Sequence, residues 1–282
     1  MKGSLPDFVV IGEGRTGTTW LRECLLHHPG VFIPENPGRE IHFFSRYYDK
    51  GLDWYASLFS GVGNDKKKGD VSPSYFAWDC ASKIRACMPD VKIIAIVRNP
   101  LERAYSTYNR RKFDRGKVSF EEAIEEDEFD YLERGLYWRN LQQYLKEFNK
   151  EQILVKLTED LSEDPVGFLR DIYNFIGVDD SFVPSHAYHR INSSSPNRFF
   201  RFLYWSVGLI HNSVLKDVFW HFRKSRLGKS LEHLFFSRLR PDVSVKKKLK
   251  PKTYRFLKAY FKKDVEKLSE FLGRDLMETW KL

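Results

Sequence analysis

Cysteine is scarce in this chain: Cys24, Cys80 and Cys87 are its only 3, an odd number without metal-ligand spacing. That scarcity argues against a disulfide framework and gives no sign of a metal site; it suits a reducing, cytoplasmic setting with buried thiols. Long apolar runs are missing as well. The longest, residues 202–210, is interrupted by Ser206 and followed by His211 and Asn212, short of the roughly 20 residues a membrane span requires. The first apolar run begins at Phe8, which leaves too little room before it for a signal peptide, so none is expected. There are no internal repeats and no low-complexity tracts. Negative charge is in deficit, with 38 Asp and Glu against 47 Lys and Arg for a net charge of +9. An excess of that sign favours an anionic ligand, a nucleic acid or an acidic surface. No helix-turn-helix, zinc or RNA-recognition signature supports the nucleic-acid alternative.

What is present is an alternation. Short apolar runs at residues 8–11, 91–97 and 153–157, with a weaker one at 31–33, are separated by segments with apolar residues at helical spacing, at 17–27, 78–87, 100–113, 133–148 and 165–176. That order predicts an α/β fold, a P-loop-like parallel β-sheet flanked by helices. Asn99 before Pro100 is a strong helix start, since Asn caps free amides and Pro needs no amide partner at the first helical position. At 282 residues with 42% hydrophobic content, one domain is expected, with a core over about 7–192 and a helical C-terminal extension over about 193–282. Within that extension residues 193–196 read as a loop, 199–236 mix aromatics with Lys and Arg, and a last helix runs over 252–272 to Gly273. The aromatic stretch is expected to pack internally, with an acceptor lid or peripheral membrane contact as alternatives; the lysines at 246–248 read as a solvated face.

Gly12-Glu13-Gly14-Arg15-Thr16-Gly17-Thr18-Thr19 follows the first strand directly and opens a helix. Glycines let the backbone turn its amides inward, and the helix N-terminus favours an anion. Against the Walker A pattern, Gly12 and Gly17 keep their spacing, but Thr18 stands where the phosphate-binding Lys belongs. This disfavours triphosphate chemistry and the rival reading, a P-loop nucleoside or sugar kinase. Further on, the strand at 91–97 runs into Arg98, and Ser106 lies eight residues later, about two helical turns along. Ligands of parallel sheets gather at the C-terminal strand edge, so two phosphate sites on one rim suggest a nucleotide with phosphates at both ends.

These residues resemble the sulfotransferases that use 3′-phosphoadenosine 5′-phosphosulfate (PAPS), particularly the heparan sulfate branch and related bacterial enzymes. The likeness covers roughly residues 7–178 and includes Arg39-Glu40-Ile41-His42-Phe43-Phe44, Gly51-Leu52-Asp53-Trp54-Tyr55, Gly69-Asp70-Val71-Ser72-Pro73-Ser74-Tyr75-Phe76 and Arg134-Gly135-Leu136-Tyr137. It implies that Arg15, Thr16, Gly17, Thr18 and Thr19, with Trp20 after them, hold the 5′-phosphosulfate, and that Arg98 and Ser106 hold the 3′-phosphate. It implies Glu40 as the general base, Arg15 as a stabiliser of charge developing on the transferred group, and His42 as support for acceptor or sulfate. No metal is implied. Three positions depart from the heparan pattern: Arg15 replaces Lys, Val71 replaces a Lys, and Ser45 replaces an Asp. The implied acceptor is therefore a carbohydrate or small molecule other than heparan, and a catalytically inactive relative that binds 3′-phosphoadenosine 5′-phosphate (PAP) is the alternative within the family.

Overall fold

The computed structural model describes residues 4–35, 38–115, 118–126, 130–185, 187 and 249–282. The stretches read above as a loop at 193–196, an aromatic and basic segment at 199–236 and a lysine run at 246–248 lie outside the described residues. The chain forms two compact units, one of Met1–Asn192 with Pro251–Leu282 and one of Ser193–Lys250. Every element named below belongs to the first.

Its strands are β1 (Phe8–Gly12), β2 (Val31–Phe32), β3 (Lys67–Val71), β4 (Lys92–Val97) and β5 (Ile153–Leu157). They form one parallel sheet in the order β2-β3-β1-β4-β5. The helices are α1 (Thr18–His27), α2 (Phe43–Arg46), α3 (Leu52–Ser57), α4 (Ala81–Cys87), α5 (Pro100–Arg115), α6 (Phe120–Glu126), α7 (Tyr137–Glu147), α8 (Thr158–Glu163), α9 (Pro165–Ile176), α10 (Pro251–Leu272) and α11 (Leu276–Trp280). The parallel α/β architecture expected from the alternation is thus present.

β1 and β4 are buried along their apolar residues, as central strands of a sheet covered on both faces must be. Side chains alternate: Phe8, Val10, Ile94 and Ile96 join Leu21, Leu25, Phe168, Leu169 and Ile172 of α1 and α9 in one core. α9 begins at Pro165 with the Asp164 carboxylate accepting from Gly167 N, and ends at Gly177 in the left-handed region, a start and stop that together contribute about 1–2 kcal/mol.

Register brings the functional loops to one edge. Val10 pairs with Val71, Gly12 with Ala95, and Val97 with Leu157, so the residues after β1, β3, β4 and β5 emerge side by side. The connection after β1 leads to one side of the sheet and the one after β3 returns past it to the other. β1 therefore stands at the switch in strand order, the place where parallel α/β sheets take their ligands.

Candidate donor and acceptor site

Glu13 to Gly17 link β1 to α1. Gly12 has φ +143°, and a Cβ there would stand 2.6 Å from Pro73 O. Gly17 has φ +100°, with its Cβ position 2.9 Å from Leu161 Cδ2. Only glycine meets both demands. The Thr16 hydroxyl is buried and donates to Glu13 O at 2.5 Å, while Thr158 Oγ1 lies 2.8 Å from Thr16 O and 3.2 Å from Val97 O. The loop is thereby tied to both β4 and β5. The first intrahelical bond of α1 runs from Leu21 N to Gly17 O, leaving the amides of Thr18, Thr19 and Trp20 at the helix entrance, where an anion is favoured. Thr18 is buried and Thr19 half-buried. Trp20 turns its ring into the core, edge-on to Phe168, with its indole N–H donating to Ala187 O at 3.2 Å. The side chains of Thr16 and Trp20 are thus engaged inward, which leaves only their backbone for the expected anion contact.

The residues expected to hold the second anion meet those of the first. Asn99 Oδ1 caps α5 by accepting from Leu101 N at 3.0 Å, and its amide donates to Trp280 O at 2.8 Å. This fixes Arg98, whose Nη1 donates to Arg15 O at 3.2 Å. Arg15 Nε in turn donates to Ser106 Oγ at 3.1 Å. Arg15, Arg98 and Ser106, predicted separately from sequence, therefore form one cluster. Burial lowers the Arg15 pKa, and the nearby charges of Arg110 and then Arg98 lower it further. Glu102, four residues before Ser106, pairs with Arg98. Arg98 Nε is buried without a partner among the described residues. Crowded guanidiniums and an orphaned donor fit a polyanionic ligand such as PAPS, which would restore their balance of charge.

Glu40 lies between β2 and α2. Its Oε2 lies 3.0 Å from His42 Nε2, and His42 Nδ1 lies 2.8 Å from Ser74 Oγ. Glu40 thus pairs with His42, and its side chain keeps 40% exposure. His42 has φ +56°, a strained setting for a residue with a side chain. Its amide donates to Ser72 Oγ at 3.1 Å, and Ser72 Oγ donates to Asp70 Oδ1 at 2.7 Å. Tyr55 and Tyr75 donate to Asp70 Oδ2 at 2.9 and 2.8 Å. Burial raises the Asp70 pKa against the pull of these hydroxyls; burial and the Asp70 charge raise both phenols, which therefore stay protonated donors. Ser45 Oγ lies 2.8 Å from Ser74 Oγ, and Val71 is buried in the core.

Sequence reasoning passed over Glu13, Glu102, Arg110, the Asp70 network and the role of Arg134. Glu102, Ser106 and Arg110 recur every four residues, a helical face that could have been read from Arg98 onward. Asp70 gave no signal of its own.

A family model described as a sulfotransferase domain matches residues 5–202. Mouse heparan sulfate glucosamine 3-O-sulfotransferase 3B1 is 32% identical over 202 residues, covering 68% of this chain and 51% of that protein. Human bifunctional heparan sulfate N-deacetylase/N-sulfotransferase 3 is 32% identical over 197 residues, covering 62% and 22%. The chain thus spans about half the length, or less, of these curated relatives. A crystal structure of a sulfotransferase from Alicyclobacillus acidocaldarius matches 99% of this chain and 100% of its own, at 25% identity and a TM-score of 0.70. With the domain match covering most of the chain, and a relative 32% identical over 68% of it, this protein belongs to the PAPS-dependent sulfotransferase family.

Proposed function

We propose that the chain transfers a sulfuryl group from PAPS to a hydroxyl or amine of a carbohydrate or small-molecule acceptor, with Glu40 as the general base. The observation that carries this reading is the convergence of two unlike half-sites on one sheet edge: the Arg15, Arg98 and Ser106 cluster, and the Glu40 and His42 pair. PAPS, when bound, supplies an activated sulfuryl group on a phosphate leaving group.

The protein's part is position and charge. Arg98 and Ser106 hold one phosphate, while Arg15 and the amides at the start of α1 face the other and neutralise charge growing during transfer. Glu40, partly exposed, accepts the proton of the acceptor hydroxyl or amine. His42 donates to Glu40 from Nε2 while Nδ1 accepts from Ser74, a tautomer that fits both contacts. His42 thereby aims the carboxylate. The buried Val71 and the Ser45 hydroxyl turned to Ser74 provide neither the cation nor the acid of the heparan pattern, which supports an acceptor other than heparan. The free thiols of Cys24, Cys80 and Cys87 are consistent with a cytoplasmic setting.

Transfer of labelled sulfate from PAPS to a panel of glycans and phenols, with Glu40→Gln beside the parent, tests this. Turnover should fall about 100-fold or more in the variant. Equal rates in both would remove Glu40 from the role of base.

A further inference from the structure

The loop built to receive an anion contains a buried carboxylate. Glu13 has no exposed surface. Its Oε1 accepts from Gly14 N at 2.5 Å and from Arg134 Nε and Nη2 at 3.0 and 2.6 Å. Its Oε2 has no hydrogen-bond partner among the described residues. Left alone, this charge would repel the donor's phosphates and bear the full cost of desolvation.

Arg134 answers both difficulties. Its forked guanidinium neutralises Glu13 and lies over the loop, with Nη2 3.6 Å from where a Cβ on Gly14 would stand. Burial lowers the Arg134 pKa, but the charge and hydrogen bonds of Glu13, with lesser help from Asp130 and Glu40, raise it overall.

Arg134 is also held from behind. It sits in a 3-10 turn, Glu133–Gly135, wedged against α10: a Cβ on Gly135 would stand 2.6 Å from Phe261 and 3.3 Å from Pro100. Tyr260 donates to Glu133 Oε1 at 3.0 Å, and Asp264 accepts the amides of Trp138 and Arg139 at 2.9 Å each. These α10 residues lie beyond the segment matched by the family domain, residues 5–202.

We propose that Arg134 is a positioning residue for the donor: braced by α10, it neutralises the Glu13 carboxylate that holds the Gly14 turn, so that Arg15 and the following amides face the ligand without an uncompensated negative charge beneath it. The inference rests on the donor reading given above. Arg134 is the cation that hydrogen-bonds Glu13; the buried Arg103 donates to Tyr131 O instead and feels the Glu13 charge only through space. Glu13→Gln would keep an acceptor for Gly14 N while removing the charge that needs Arg134.

Calorimetry with PAP on the full chain decides the matter, using the parent, Arg134→Met and the double variant Glu13→Gln/Arg134→Met, each with its Tm recorded. Arg134→Met should weaken PAP binding about tenfold or more, because it strands a buried charge beside the ligand. The double variant should recover to within about threefold of the parent. In steady state, KM for PAPS should rise with the affinity loss while KM for the acceptor stays put. If Arg134→Met binds PAP as the parent does, or the double variant is no better than the single, the inference is wrong and Arg134 only braces the fold. A parent that does not bind PAP at all overturns the donor reading, and this inference with it.

Discussion

Replacing Asp70 by alanine tests whether a buried carboxylate beneath His42 holds the acceptor wall in place. Alanine removes the acceptor of three hydroxyls, those of Ser72, Tyr55 and Tyr75. Each buried donor left unpaired costs about 1–3 kcal/mol, whereas removing the buried carboxylate relieves its own desolvation. Taking the lower figure for each hydroxyl, and offsetting part of it with that relief, gives a net loss of about 2–3 kcal/mol at neutral pH. The loss should depend on pH. Burial raises the folded-state pKa of Asp70 above the ordinary carboxylate value, so its contribution is fully present below the unfolded pKa and declines as pH rises through the folded one. The variant should therefore fall further behind the parent at about pH 4 than at pH 7. Urea unfolding followed by tryptophan fluorescence measures both, and an unchanged m-value confirms that like states are compared. Turnover should fall about tenfold or more, since Ser72 loses its anchor and His42 N loses a fixed partner. A loss under about 1 kcal/mol at neutral pH, or a larger loss at pH 7 than in acid, would refute the reasoning.

Gly17→Ala should cost about 1–2 kcal/mol and weaken PAP binding, because φ is +100° there and the added Cβ would meet Leu161; an unchanged Tm and affinity would count against the loop geometry. Glu40→Gln, slow in transfer, should keep PAP affinity within about twofold of the parent, since the carboxylate belongs to the acceptor wall.

The parts of the fold legible in the sequence are those where burial and hydrophobicity coincide. β1, β4 and β5 are apolar runs, and all three were readable within a residue at either end. β3 was not, because Lys67-Lys68-Gly69-Asp70-Val71 has no apolar pattern. It is a strand nonetheless, with Gly69 leaving space for Phe8 and Asp70 satisfied by hydroxyls from Tyr55, Tyr75 and Ser72. Those partners are tertiary, and no local signal announces them. In the site, Arg15, Arg98 and Ser106 were readable because strand ends and a helix face carry them to one rim. Their mutual contact, across 91 residues from Arg15 to Ser106, follows only from the strand order. The pairing of Glu40 with His42 has no local signal either, because it goes with a left-handed turn at His42, where no glycine announces one. Arg134 shows the same limit: its role depends on Glu13, 121 residues away.

A donor site for a nucleotide with phosphates at both ends stands or falls on PAP binding in magnesium-free buffer, measured with ATP as control and Arg98→Ala beside the parent. Tight binding of PAP, weak binding of ATP, and a loss of about tenfold or more in the variant are the predicted result. Preference for ATP with magnesium, or PAP binding indifferent to Arg98, would contradict it.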